Sequence, residues 1–156
     1  MKKVMFISSG GGHLEELLQL ESLFSRCEYS LITEKTATTL YLKEKYPNTS
    51  YLVYGTKDHL LPYLFIFPFN ILKSFFLFLK YKPDAVVTTG THTAVPMCYI
   101  AHLFHKKVVF IETMANAHKP TKAGKMVYKI ADKFIVQWES MKEVYPESEY
   151  WGSVYS

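Results

Sequence analysis

His13 stands directly behind three glycines in the run S-S-G-G-G-H-L-E, residues 8–15. Glycine reaches backbone angles with positive φ and lets a ligand approach without a Cβ in the way. A short apolar run, V-M-F-I, precedes this turn, and H-L-E-E-L-L-Q-L-E-S-L-F after it has the spacing of an amphipathic helix. N–H groups and the positive dipole end at such a junction suit phosphate, with Gly10, Gly11 and Gly12 as the contacting backbone. The same dipole disfavours a protonated imidazole. His13 therefore reads as a neutral group beside a phosphate or a sugar hydroxyl, or else as a packing residue of the helix start. Two phosphate motifs are excluded. Counted from Gly10, the third glycine of a dinucleotide fingerprint falls at Glu15, and no Gly-Lys-Ser/Thr follows to make a P-loop. Glu34 imitates the ribose-binding acid of a dinucleotide site by spacing alone.

A second turn repeats this logic in T-T-G-T-H-T-A-V-P, residues 88–96. Gly90 gives the tight turn, and Thr91, His92 and Thr93 open a helix either as caps or as part of a shared anion site. The third, F-I-E-T-M-A-N-A-H-K-P-T-K-A-G-K, sets Glu112 at the end of an apolar run. A carboxylate there serves as a base or a ligand for sugar hydroxyls, or else caps a neighbouring helix. Lys119, Lys122 and Lys125 follow close to the presumed phosphate edge. His102 and His105 have no acidic partner at ligand spacing and read as surface or packing residues, so neither metal nor cofactor is expected.

The elements that must position these turns are six apolar, β-rich runs at 3–8, 28–34, 49–54, 84–89, 107–113 and 132–138, with helical patterns between them at 13–25, 36–46, 70–81, 92–105, 122–131 and 139–145. Strands apolar throughout are buried on both faces, which makes this an α/β protein with a Rossmann-like, doubly wound parallel sheet. Right-handed crossovers then place all three turns on the carboxyl edge, where such sheets bind ligands. At 156 residues the chain, 1–156, is read as one domain.

Apolar residues make up 49% and the net charge is +4, a globular composition suited to phosphates or an anionic membrane face. The basic residues form no long run, so a nucleic-acid partner is not expected. Cys27 and Cys98 read as buried free thiols of a reducing compartment. The four apolar residues after the first lysines are too few for a signal peptide. Residues 59–82, H-L-L-P-Y-L-F-I-F-P-F-N-I-L-K-S-F-F-L-F-L-K-Y-K, are the most apolar part. Pro62, Pro68, Asn70 and Lys73 interrupt a bilayer span; a helix in the headgroup plane fits better, or else a core helix between the third and fourth strands, and one helix can do both with a single face packed inward. Leu64, Phe65, Phe67, Phe69, Phe75, Phe76 and Phe78 would meet lipid, with Asn70, Lys73 and Lys80 on one polar face.

K-P-D-A-V-V-T-T-G-T-H-T-A-V-P, A-D-K-F-I-V-Q-W-E-S-M-K-E-V-Y-P-E-S-E-Y-W-G and S-S-G-G-G-H-L-E-E-L resemble the family of the asparagine-linked glycosylation protein 14, which includes bacterial capsule and exopolysaccharide proteins of the CpsF type. The layout is also similar to the N-terminal half of MurG-type transferases. The resemblance implies one half of a split GT-B glycosyltransferase. This half would bind a polyprenyl-diphosphate-linked sugar at the cytoplasmic face of the cell membrane. A partner subunit forming the C-terminal half would bind the UDP-sugar donor. It further implies that Gly10–His13, Gly90–Thr93, Glu112 and Asn116 face the cleft, with His13 or Glu112 assisting deprotonation. Eukaryotic members carry an N-terminal membrane helix, whereas this sequence opens on its first strand, so anchoring is expected from residues 59–82 or from the partner. The competing readings are a stand-alone nucleotide-binding oxidoreductase and a purely structural membrane adaptor.

Overall fold

The computed structural model describes residues 1–55 and 58–155. Seven parallel strands form one sheet in the order β3-β2-β1-β4-β5-β6-β7. They are β1 (Lys3–Ile7), β2 (Glu28–Lys35), β3 (Thr49–Val53), β4 (Ala85–Thr88), β5 (Lys107–Ile111), β6 (Lys133–Val136) and β7 (Glu149–Tyr150). The six expected strands are all present. β7 adds a seventh, and its two residues are too few to show any periodicity.

Both faces of the sheet are covered. β1 alternates between them: Met5 and Ile7 join one core with Val86, Met97, Phe110 and Val136, while Phe6 joins the other with Leu14, Leu17, Phe24 and Leu31. The first core lies under α3 (Leu60–Tyr81), α4 (Val95–Leu103) and α5 (Lys122–Tyr128); the second lies under α1 (Gly12–Leu18) and α2 (Leu42–Lys45). Several helices are shorter than the sequence pattern suggests. Residues 13–25 divide into α1 and a 3-10 helix, Glu21–Arg26, and the last predicted helix is a 3-10 turn, Glu139–Lys142. Both cysteines are free, but Cys27 is partly exposed, and only Cys98 is buried, its thiol pushed up to about 12 by burial.

The strand order reverses once. From β1 the chain winds outward to β3, then α3 carries it back across the sheet to β4 on the other side of β1. α3 begins at Leu60, ten residues before the expected start. Pro62 falls in the first turn, where the helix needs no donor, and Pro68 removes one internal bond without ending the helix. Asn70, Ser74, Leu77 and Phe78 are its buried residues. This corrects two expectations. Phe78 packs against Phe104 in the core instead of facing lipid, and Asn70 points inward instead of lying on an outer polar stripe. Phe65, at 74% exposure, leads an outer face that includes Leu64, Phe69 and Phe76; Phe67 and Phe75 are half-buried.

Asn70 has a specific task. Its Oδ1 accepts from the Val53 N–H at 2.9 Å, and its Nδ2 donates to the Val53 carbonyl at 2.8 Å. β3 is an edge strand, so these bonds occupy backbone groups that would otherwise be open to water or another chain. Asn70→Leu keeps the volume and loses both bonds. It should lower stability by about 1–2 kcal/mol in urea unfolding, and an unchanged midpoint would contradict this role.

Candidate functional site

The reversal of strand order puts the carboxyl ends of β1 and β4 side by side, with Ile7 opposite Thr88. Pairing continues beyond both strands. The Ser9 N–H donates to the Gly90 carbonyl at 3.0 Å, the Thr91 N–H donates to Ser9 Oγ at 3.2 Å, and the Ser9 and Thr91 hydroxyls meet at 2.6 Å. Gly10–His13 and Gly90–Thr93, separated by about eighty residues of chain, therefore form one surface, as the sequence suggested.

His13 is fixed by both of its polar ends. Its ring Nδ1 lies 2.9 Å from the Thr89 carbonyl, and the Thr89 hydroxyl donates to the His13 carbonyl at 2.5 Å. A carbonyl only accepts, so Nδ1 carries a proton, and the neutral form of the ring is the one with its lone pair on Nε2. Gly90 makes room for the ring: a Cβ there would come within 3.4 Å of His13 Nδ1, and its φ of 102° is one that side chains rarely adopt. Gly11, with φ 75°, and Gly12 are exposed, and a Cβ on either would meet nothing within 4 Å. Their backbone borders open space.

Beneath the glycine turn, Glu34 is nearly buried. Its two oxygens accept from the Gly10 N–H at 3.4 Å and the Gly55 N–H at 3.3 Å. Tyr63 of α3 lies alongside, with its ring 5.7 Å from that of His92, so α3 reaches the edge of the cleft. Burial first, and the charge of Glu34 second, hold the Tyr63 phenol above its ordinary pKa.

The third turn departs from expectation. Glu112 does not face the cleft. Its Oε1 accepts from the Thr113 N–H at 3.1 Å and the Thr121 hydroxyl at 2.8 Å. Its Oε2 accepts from the Thr121 N–H at 3.1 Å and the Tyr145 hydroxyl at 2.7 Å. Gly124 lies so close that a Cβ would fall 2.3 Å from Oε2. All four acceptor positions are filled, and Glu112 holds the start of α5, which is the capping alternative. The Tyr145 phenol is pushed well above its ordinary value by burial and then by this carboxylate. Lys119, Lys122 and Lys125 are exposed.

The wall opposite His13 consists of Thr113, Met114 and Ala115, across a cavity of about 440 Å³. Asn116 lies one residue further on, its N–H donating to the Thr113 carbonyl at 3.4 Å, and does not line that cavity. Two residues absent from the expected set hold this wall. Trp138 Nε1 donates to the Met114 carbonyl at 2.7 Å, and Gln137 Nε2 donates to the Glu112 carbonyl at 2.9 Å. The signal for them was present in F-I-V-Q-W, where two polar-capable side chains follow an apolar strand at the carboxyl edge. Glu16 is the third residue missed, and its spacing from His13, one helical turn, was the available sign. Among the described residues no group of three or more His, Cys, Asp or Glu side chains is placed to hold a metal ion.

The family model for "Oligosaccharide biosynthesis protein Alg14 like" matches residues 57–154. The UDP-N-acetylglucosamine transferase subunit ALG14 of Mus musculus is 29% identical over 180 residues, covering 97% of this chain and 82% of that one. The corresponding subunit of Candida albicans is 27% identical over 172 residues, covering 96% and 77%. Among solved structures, Acinetobacter baumannii MurG superposes with a TM-score of 0.78 at 19% identity, covering 98% of this chain and 46% of that one. UDP-N-acetylglucosamine 2-epimerase from Rickettsia bellii gives 0.73 at 19% identity, covering 99% and 46%. At such identities the likeness shows the fold, that of the N-terminal half of MurG-type GT-B enzymes, and this chain spans less than half the length of those structures.

Gly90→Ala tests the junction. The strained φ and the displaced imidazole should cost about 1–3 kcal/mol in denaturant unfolding, and a wild-type stability would show that the two turns have room to spare.

Proposed function

The chain belongs to the Alg14-like family of oligosaccharide biosynthesis proteins, and on that premise we propose that it is the acceptor-binding subunit of a two-component glycosyltransferase. Its acceptor is a polyprenyl-diphosphate-linked sugar, and a separate partner supplies the other GT-B half and binds the UDP-sugar. The relatives named as UDP-N-acetylglucosamine transferase subunits support this reading. The observation that carries it is His13, locked as the Nδ1–H tautomer at the point where strand order reverses.

In this mechanism the acceptor hydroxyl attacks the anomeric carbon of the donor and the UDP leaves with the electrons of the broken glycosidic bond. His13 Nε2 takes the hydroxyl proton as the new bond forms, and Thr89 steadies the imidazolium through Nδ1. The acceptor diphosphate lies along the exposed backbone of Gly11 and Gly12 and along Thr91 and His92, whereas Thr93, expected beside them, is buried. Glu112 is not assigned to the base, because its oxygens are already occupied.

Membrane contact falls to α3. Among the described residues it is the one helix long and apolar enough to cross a bilayer, and only 17% of that apolar stretch is buried. Its inner face packs on the sheet through Leu77 and Phe78, which favours a helix lying on the membrane over one crossing it. The exposed aromatics enter the headgroup region of the cytoplasmic leaflet, and Lys80 reaches anionic lipid. Capsular or exopolysaccharide synthesis is the proposed setting, supported by the likeness of the quoted segments to CpsF-type proteins.

The reconstituted pair tests the chemistry. Sugar transfer by His13→Ala should fall by about 10²–10⁴-fold with partner association intact, and the chain alone should transfer nothing. Wild-type turnover by this variant would favour the structural-adaptor reading. For the membrane, replacing Phe65, Phe69 and Phe76 together by Ser should weaken co-sedimentation with phosphatidylglycerol-containing vesicles by about tenfold or more. Undiminished binding would move the docking surface elsewhere.

A further inference from the structure

Glu16 sits one turn below His13 on α1 and is 4% exposed. One of its oxygens is heavily used. Oε1 accepts from the Met114 N–H at 2.7 Å, from Gln137 Nε2 at 3.2 Å and from the Thr113 hydroxyl at 3.3 Å. Gln137 is itself held, with its Oε1 accepting from the Val154 N–H at 3.0 Å. The carboxylate is thus clamped across α1, the loop after β5 and the residue after β6. Its other oxygen, Oε2, is buried and has no hydrogen-bond partner among the described residues.

A buried carboxylate oxygen left without a donor is costly, and such an exception calls for an explanation. Glu16 lines the cavity of about 440 Å³ between His13 and the Thr113–Ala115 wall, a size within the range of small-ligand sites, about 300–1,000 Å³. The lining includes neither lysine nor arginine. At its rim the Tyr155 phenol is held above its ordinary value, first by burial and then by the charges of Glu16 and Glu15. An acceptor oxygen short of a donor, in a cavity without lysine or arginine, calls for a ligand that donates hydrogen bonds.

We propose that Glu16 Oε2 is the specificity contact for the acceptor sugar, accepting a hydrogen bond from one of its hydroxyls. This deepens the acceptor-subunit reading and rests on it. The cleft then has two chemically distinct regions: the glycine and threonine turns for the diphosphate, and the Glu16 cavity for the uncharged ring. His13 stands between them. In this arrangement Glu16 orients the sugar while His13 takes the proton in the proposed transfer.

Two soluble probes test this in the full-length chain by calorimetry: farnesyl diphosphate, and the same diphosphate carrying N-acetylglucosamine. Glu16→Gln keeps a carbonyl oxygen for Met114 and replaces the unpartnered oxygen by a donor. It should weaken the glycosylated probe by about 10- to 100-fold while leaving farnesyl diphosphate unchanged. A glycosylated probe weakened by less than about threefold overturns the Glu16 assignment and leaves the acceptor-subunit reading standing, because the wild type still binds both. Equal weakening of both probes also overturns it, since that marks a structural role. If the wild type binds neither probe, the acceptor reading fails and this contact with it. Should the variant not fold, the wild type decides with a series of probes each lacking one sugar hydroxyl. One member should bind about tenfold or more weakly, and uniform affinity across the series overturns the proposal.

Discussion

The reciprocal hydrogen bonds between His13 and Thr89 tie the two halves of the sheet together where they part company. On one side of β1 the chain winds to β3; on the other it winds to β7. The strand ladder between β1 and β4 ends at Thr88, and beyond it the backbones are joined by the bond from the Ser9 N–H to the Gly90 carbonyl. The imidazole and the threonine hydroxyl extend that order by one more layer. A side-chain ring can pack so tightly against a neighbouring turn only where the turn has no Cβ, which is the place of Gly90. The tautomer of the ring, the position of the glycine turn and the mouth of the cleft all follow from this junction.

Three buried glutamates organise the remaining edge in one manner. Glu34 holds the N–H groups of Gly10 and Gly55, Glu112 those of Thr113 and Thr121, and Glu16 that of Met114. Turns that lie over a parallel sheet present N–H groups with no strand partner, and a carboxylate satisfies two or more of them at once. In exchange the carboxylates become tolerable inside the protein, because each receives donors in place of water. Glu16 departs from this balance, and it does so beside the cavity.

The sheet and the turns along its carboxyl edge were legible because buried parallel strands carry an unbroken apolar signal and the turns carry glycine. The extent of α3 was not. Proline reads as a helix breaker in sequence, yet its effect depends on its position: Pro62 occupies a turn that needs no donor, and Pro68 costs a single bond on an exposed face. Glu112 was legible as a special carboxylate but not in its direction, since the same spacing serves a cleft or a cap, and the choice was made by Thr121 within the same turn and by Tyr145 from further along the chain. Glu16 and Gln137 escaped notice for a similar reason: their meaning lies in a contact across more than a hundred residues. Local pattern reports burial well and reports partnership poorly.

α3 starts beside the carboxyl edge, with Tyr63 against His92, and runs back to the amino end of β4. Its 22 residues span about 33 Å at the helical rise. Under the membrane contact proposed above, a protein resting on the outer face of this helix would lie with its strands along the surface, its cleft opening sideways and not toward bulk solvent. A substrate tethered to the same surface then meets the cleft by lateral diffusion. Its search is confined to two dimensions, and its lipid tail need never leave the bilayer while the headgroup reacts.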